Sequence, residues 1–448
     1  MPAAATPPLP LRAEIAAAPA RPAIASAGTA AVADASRTAA DTARAAVART
    51  VARHSLAWLL AANTVGLWLA ASLLWPALGD TLAPLTYGRW MTLHLNWQLY
   101  GWCALPLAGA LLAWCLDFRH PQVRGHAQLV LGLWSLALAL GGLSWLGGVS
   151  SGKLFLDWHG WARPVLPLAM VALWSFLGAH TVWRWPDLDR TGRLLRVGVL
   201  AGLVVVPPLL HWAAGRAVYP PVNPDSGGAT GAALLGSTLA LVSLYGLLPR
   251  MLGVPATRSA RWFWPALGLS WIAYSLIGHG HTSHHDLAQI VALGLLFFWV
   301  PGLALWWRAG NWHPAARPWQ TAALVWWALL VADGWLAFLP GLSERWKFTH
   351  ALVAHSHLAM AGLVTSAGLM ILTQFARRPV ARASFWAWQL GCAVHVAALL
   401  VLGWDEIAAA HALFRSETWT QLLLGLRLAA GAMMTIAAAR WWLDFRAP

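Results

Sequence analysis

Charge is scarce in this chain. Only 10% of its 448 residues are Asp, Glu, Lys or Arg, whereas average soluble proteins carry about 25%. With 59% of the residues hydrophobic, a soluble fold of this size would lack a polar surface. Cysteine is scarce as well. Cys103, Cys115 and Cys392 stand apart in apolar segments. There is no CxxC, no CxxCH and no disulfide spacing, which excludes a covalently attached c-type heme and a stapled secreted scaffold. Residues 1–53 are rich in Ala and Pro and lack a long apolar core, so they do not read as a plain secretory signal. Acids number 16 against 30 Lys and Arg, for a formal charge of +14.

What is abundant is apolar length. Runs of about 20 apolar residues, enough to cross a bilayer as a helix, recur from residue 56 onward. Twelve spans are expected, at residues 56–78, 92–115, 127–148, 164–183, 194–214, 229–249, 262–280, 287–307, 321–342, 349–374, 385–403 and 419–442. The fold class is therefore all-α, a polytopic membrane protein with a twelve-helix transmembrane bundle. Residues 1–53 are expected to be a flexible Ala/Pro/Arg-rich cytoplasmic tail, whose last part is compatible with an interfacial helix. Residues 54–448 form the twelve-span domain.

The surplus of basic residues sorts by loop and does not call for nucleic acid. Arg184, Arg190, Arg193 and Arg196 share one loop region, and Arg377, Arg378 and Arg382 share another, while the alternate loops hold few. The positive-inside rule then puts both termini in the cytoplasm, in a bacterial-type inner membrane. Many of the 33 tryptophans lie near span ends, where interfacial anchors belong. Membrane lipids are the first expected partners.

In this orientation several histidines sit near the outer ends of spans. They are His94 in the second span, His279 and His281 at the end of the seventh, and His355 and His357 in the tenth. His284 and His285 follow in an outer loop that reads as a surface cluster able to take copper or zinc. An ionisable group inside a membrane is costly and usually faces a site or a partner. His395, alone in the eleventh span, reads as a structural hydrogen-bonding residue, and so does His350. The pair His355 and His357 differs. Two residues apart on a helix means about 200° of rotation and about 3 Å of rise, so the rings lie on opposite sides at one depth. One metal atom is not easily held by both, whereas two cofactors, one on each side, are served by this spacing. Heme iron accepts a neutral imidazole axially.

"AHSHLAMAG" (Ala354 to Gly362) resembles the tenth-helix motif of heme-copper oxidase catalytic subunits. "TYGRWMTLHLNWQLYGW" (Thr86 to Trp102) is similar to the second-helix motif of the cytochrome cbb type, and "IAYSLIGHGH" (Ile272 to His281) to the segment carrying that type's tyrosine and copper histidines. The resemblance extends over most of the chain from residue 56. It implies a subunit I-type fold and two b-type hemes. A low-spin heme would lie between His94 and His357, and a high-spin heme would sit on His355. It implies Tyr274 as the active-site tyrosine and His281, with His279 beside it, toward copper. Tyr245 and Ser237 would lie on a polar line feeding protons to the site.

The pattern breaks at copper. The sixth span has no histidine, and Gly280 occupies one position of the seventh-span pair, so the resemblance leaves copper open. Asp333 in the ninth span and Arg427 in the twelfth are expected to pair, the alternative being Arg427 on a heme propionate. Two functions follow from the resemblance. One is a cbb-like cytochrome c oxidase subunit I, an oxidoreductase passing electrons from cytochrome c-type donors to O2. The other is a non-oxidase heme protein for NO or O2 sensing, electron relay or oxidase assembly. A transporter with structural histidines is the third, blander reading.

Overall fold

The computed structural model describes residues 24–255, 261–408 and 417–446. Among them there is no strand; Val222 and Ala229 form an isolated bridge. Twelve helical stretches are numbered here in chain order. They are α1 (Ile24–Leu74), α2 (Tyr87–Cys115), α3 (Val123–Leu146), α4 (Val165–Trp183), α5 (Arg190–Ala213), α6 (Gly231–Met251), α7 (Phe263–Ser275), α8 (Leu287–Arg308), α9 (Arg317–Leu336), α10 (His350–Ala376), α11 (Arg382–Ala408) and α12 (Thr418–Arg446).

Ten of these are long and apolar enough to cross a membrane. The chain is an all-α, multi-pass membrane protein. The two that fall short are α7 and α9. Helix α7 has 13 residues and stops before "LIGHGH", because Gly278 and Gly280 are poor helix formers. Helix α9 has 20 residues but is diluted by Arg317, Gln320 and Asp333 and by four tryptophans. Among the described residues, ten helices thus meet the length and apolarity of a crossing, and the expected count of twelve is not reached by that measure.

Of the expected tail, residues 1–23 lie outside the described residues. From Ile24 the chain is one helix of 51 residues, which includes the stretch expected to be compatible with a helix. Its Ala-rich sequence has high helix propensity and no proline between residues 24 and 74. Val47, Val51 and Ala52 are fully buried in the bundle, so this stretch packs rather than lying at an interface.

Helix α10 is the hub. It is 78% buried over its apolar window, against 11% for α5. It packs on α2, α9, α11 and α1. Helix α5 instead leaves Val204, Val205 and Leu209 exposed, a surface that only lipid solvates well. Helices α2 and α10 share a local device. Each widens into a π-helical turn, at Trp97–Cys103 and Leu358–Val364, directly after its histidines. Such turns inside α-helices recur at functional sites. The two π turns touch: Cys103 Sγ lies 3.8 Å from Met360 Sδ, and Trp102 Nε1 donates to Thr365 Oγ1 at 2.8 Å. This contact fixes the register between the helix carrying His94 and the helix carrying His355 and His357.

Candidate functional site

His355 and His357 meet different neighbours, as their angular separation requires. His355 Nδ1 is 2.6 Å from Asp333 Oδ2 on α9. His357 lies against His395 of α11, ring centroids 4.4 Å apart and planes tilted by 38°, and its Nδ1 is tied to the Val353 carbonyl at 2.8 Å. On the facing helix α2, His94 Nδ1 is tied to the Ala62 carbonyl of α1 at 2.7 Å. Each of the three rings has its Nδ1 engaged, which leaves Nε2 as the nitrogen that could bind a ligand. Metal-binding histidines are oriented in this way, by a carbonyl or carboxylate on the second ring nitrogen.

His94 and His357 lie within charge-interaction range of each other, and both lie within range of Arg427 on α12. Arg427 Nε and His395 Nε2 are buried and have no hydrogen-bond partner. Unpaired polar groups in an apolar interior call for an explanation, such as a ligand that completes them. Arg427 does not pair with Asp333, contrary to the sequence expectation, because Asp333 is bonded to His355. His395 does hydrogen-bond backbone, through Nδ1 to the Arg427 carbonyl at 3.3 Å, but it also covers one face of His357. Sequence reasoning had no signal for that neighbour, since His395 stands alone in its span.

On the other side of α10, His355 lines a cavity of about 400 Å³. Its walls come from α6, α8 and α9 and include Leu234, Leu296, Leu330, Val331 and Phe338, with Ser237 and Thr238 as polar points. At one end of it Lys347 donates to the Ser226 carbonyl at 3.1 Å, and burial lowers its pKa. Gly334 gives His355 room: a Cβ there would sit 3.1 Å from His355 Cε1.

Of the remaining expected residues, Ser237 lines this cavity and Tyr274, Tyr245, His279 and His281 do not. Tyr274 packs behind it, its ring against Gly236 and 4.6 Å from the ring of His279. His279 and His281 are exposed, and His281 Nδ1 lies 3.2 Å from the Val222 backbone. The two are not gathered into a ligand set. Tyr245 is buried against Trp307, while Ser237 lines the cavity. His350 Nδ1 lies 2.8 Å from Glu406 Oε1.

Among the described residues, the group placed to hold a metal ion is Asp225, His284 and His285, whose ligand atoms lie within 4.8 Å of one another. His284 is fully buried, with Nε2 2.7 Å from Glu344 Oε1 and Nδ1 2.8 Å from Asn223 Nδ2. Desolvation pushes the Glu344 carboxyl up. Hydrogen bonds from backbone and from His284 outweigh this and bring it down to about 2. A depressed carboxyl stabilises above its ordinary pKa of 4.5 and loses that contribution as pH falls through the folded value. At a carboxyl 33% exposed the effect after solvent screening is about 1 kcal/mol. Glu344→Gln is thus expected to lower Tm at neutral pH, with the difference from the parent chain closing as pH falls below about 4 toward 2 in thermal melts.

Compared with known proteins, the chain matches no family model, and no curated protein is significantly similar to it.

Proposed function

We propose that this protein is a membrane heme protein of the heme-copper oxidase subunit I type, built to carry electrons to a diatomic ligand. The observation that supports this most is the pair on α10. His355 and His357 each have Nδ1 engaged and Nε2 left for a ligand, and they face different helix groups. His94 and His357 would hold a low-spin b-type heme, and His355 a second b-type heme in the 400 Å³ cavity. The residues present fit such groups: three oriented imidazoles, apolar walls, and the unpaired Arg427 available to a propionate. When bound, heme supplies one-electron chemistry and, on the His355 side, a coordination position for O2 or NO.

The chain's own residues do the rest. The Asp333 carboxylate fixes the His355 tautomer and raises its basicity as a ligand. The segment His355–Ser356–His357 is the short covalent link between the two sides of α10. The apolar cavity walls exclude water, while Ser237 and Thr238 offer hydrogen bonds within reach of the space.

The non-oxidase reading is favoured by one observation. Tyr274, His279 and His281 do not line the cavity beside His355, so the side chains that would complete an oxygen-reducing centre are not assembled there. We therefore place electron relay or O2/NO sensing ahead of cytochrome c oxidase turnover, with cytochrome c-type proteins as electron donors.

A test uses Gly66. A Cβ at this position would sit 2.7 Å from His94 Cε1. Gly66→Val should displace the His94 ring and remove the low-spin heme signal from reduced-minus-oxidised spectra. CO binding on the His355 side should persist. Equal loss of both signals would argue against two separate sites.

A further inference from the structure

At the opposite end of α6 from His284, a cavity of about 740 Å³ opens among the ends of α2, α4, α5 and α6. Its lining holds five arginines, Arg44, Arg119, Arg184, Arg196 and Arg250, against three aspartates. The aspartates are already engaged. Asp117 Oδ1 accepts from Arg119 Nε at 3.0 Å, and Asp187 pairs with Arg119 Nη2. Asp189 caps α5 by accepting from Gly192 N at 3.0 Å. Among the described residues no carboxylate lies at ion-pair distance from the other four arginines.

Arg196 is the most telling of the four. It is only 6% exposed. Its Nη2 donates to the Trp114 carbonyl at 2.9 Å, its guanidinium lies 4.7 Å from the Trp114 ring centroid, and its Nε has no partner. Beside it, Arg184 Nη1 donates to the carbonyls of Trp114 and Leu116 at 2.8 and 3.2 Å. Arg44 lies over the rings of Phe118 and Phe375. Carbonyls and rings orient these guanidinium groups but leave their charge uncompensated. A buried charge without a counter-charge is costly.

We propose that this cavity binds a phosphate group. Guanidinium forks match phosphate oxygens in pairs, which suits a cluster of several oriented arginines better than it suits a monovalent anion. The cavity opens where the helices end, at a level where phospholipid headgroups lie, and basic pockets between spans take such headgroups. A soluble phosphate would satisfy the same chemistry. None of these arginines belongs to the histidine sites, so the proposal stands apart from the heme reading.

The test uses the purified full-length chain. One arm places it in phosphatidylcholine nanodiscs with or without phosphatidylglycerol and reads retained lipid by native mass spectrometry. The other titrates inorganic phosphate in detergent against chloride at matched ionic strength and reads Tm. Arg250 is exposed, so Arg250→Gln removes charge without disturbing packing, and Arg44→Gln is the second variant. Retained phosphatidylglycerol identifies the lipid source, and a phosphate-specific rise in Tm identifies the soluble one. In either case each variant should weaken binding about tenfold, the weight of one charge-assisted hydrogen bond. No retention and no phosphate effect, or binding unchanged in both variants, would overturn the proposal.

Discussion

His357→Ala and His355→Ala are expected to produce opposite spectra from one helix. His357 would be one of the two residues holding the low-spin heme, so without it the low-spin signal should disappear while CO still binds on the other side. Removing His355 should abolish CO binding and leave the low-spin signal in place. His94→Ala should behave like His357→Ala, because in the proposed arrangement the two rings would hold one heme from α2 and α10. The loss in heme retention at each affected site should exceed about a hundredfold, since even the outer partners of metal-bound histidines contribute 10–100-fold. The prediction rests on the geometry of α10, where His355 meets α9 and His357 meets α11. If each substitution removed both signals, the two histidines would not serve separate groups.

The second large effect belongs to Asp333. Its Oδ2 lies 2.6 Å from His355 Nδ1, and the side chain is 13% exposed. Asp333→Asn keeps the volume and removes the charge. The imidazole then loses its basic partner, and heme retention on the His355 side should fall about 10–100-fold. The iron–histidine stretching frequency of the reduced protein should also drop, because a less basic imidazole is a weaker ligand. The low-spin signal should be unchanged, as His357 is oriented by the Val353 carbonyl. An unchanged stretching frequency in Asp333→Asn would mean that Asp333 only packs against the ring. Asp333→Glu should recover part of the wild-type frequency if the carboxylate is what matters.

The all-α membrane class was legible from composition, because a chain with so little charge and such long apolar runs has few other folds available. So was the opposed placement of His355 and His357, which follows from helical rotation alone. Span count was less legible. Hydropathy treated "LIGHGH" as the end of a span, whereas backbone propensity at Gly278 and Gly280 ends α7 at Ser275. The stretch before residue 54 was legible only in part: alanine contributes little hydropathy but strong helix propensity, so its helical character was readable while its burial at Val47, Val51 and Ala52 was not.

In the site, residue types gave the histidines but not their partners. Asp333 was matched to Arg427 by charge alone, since sequence shows no azimuth between helices far apart in the chain. The structure gives Asp333 to His355 and leaves Arg427 Nε buried without a partner. His395 was passed over because a lone intramembrane histidine reads as a hydrogen-bonding residue. Only the packing of α10 on α11 brings its ring against His357. The cluster of Asp225, His284 and His285 shows the same limit, because Asp225 lies far from the histidines in sequence.

The measurement that bears most directly on the central claim is heme and copper content per chain in detergent-purified protein, with reduced-minus-oxidised and CO-difference spectra on the same sample. Two b-type hemes per chain, one six-coordinate and one binding CO, without stoichiometric copper, is the predicted result. A chain that purifies folded and helical yet carries no heme, and takes up none on reconstitution, would contradict the account.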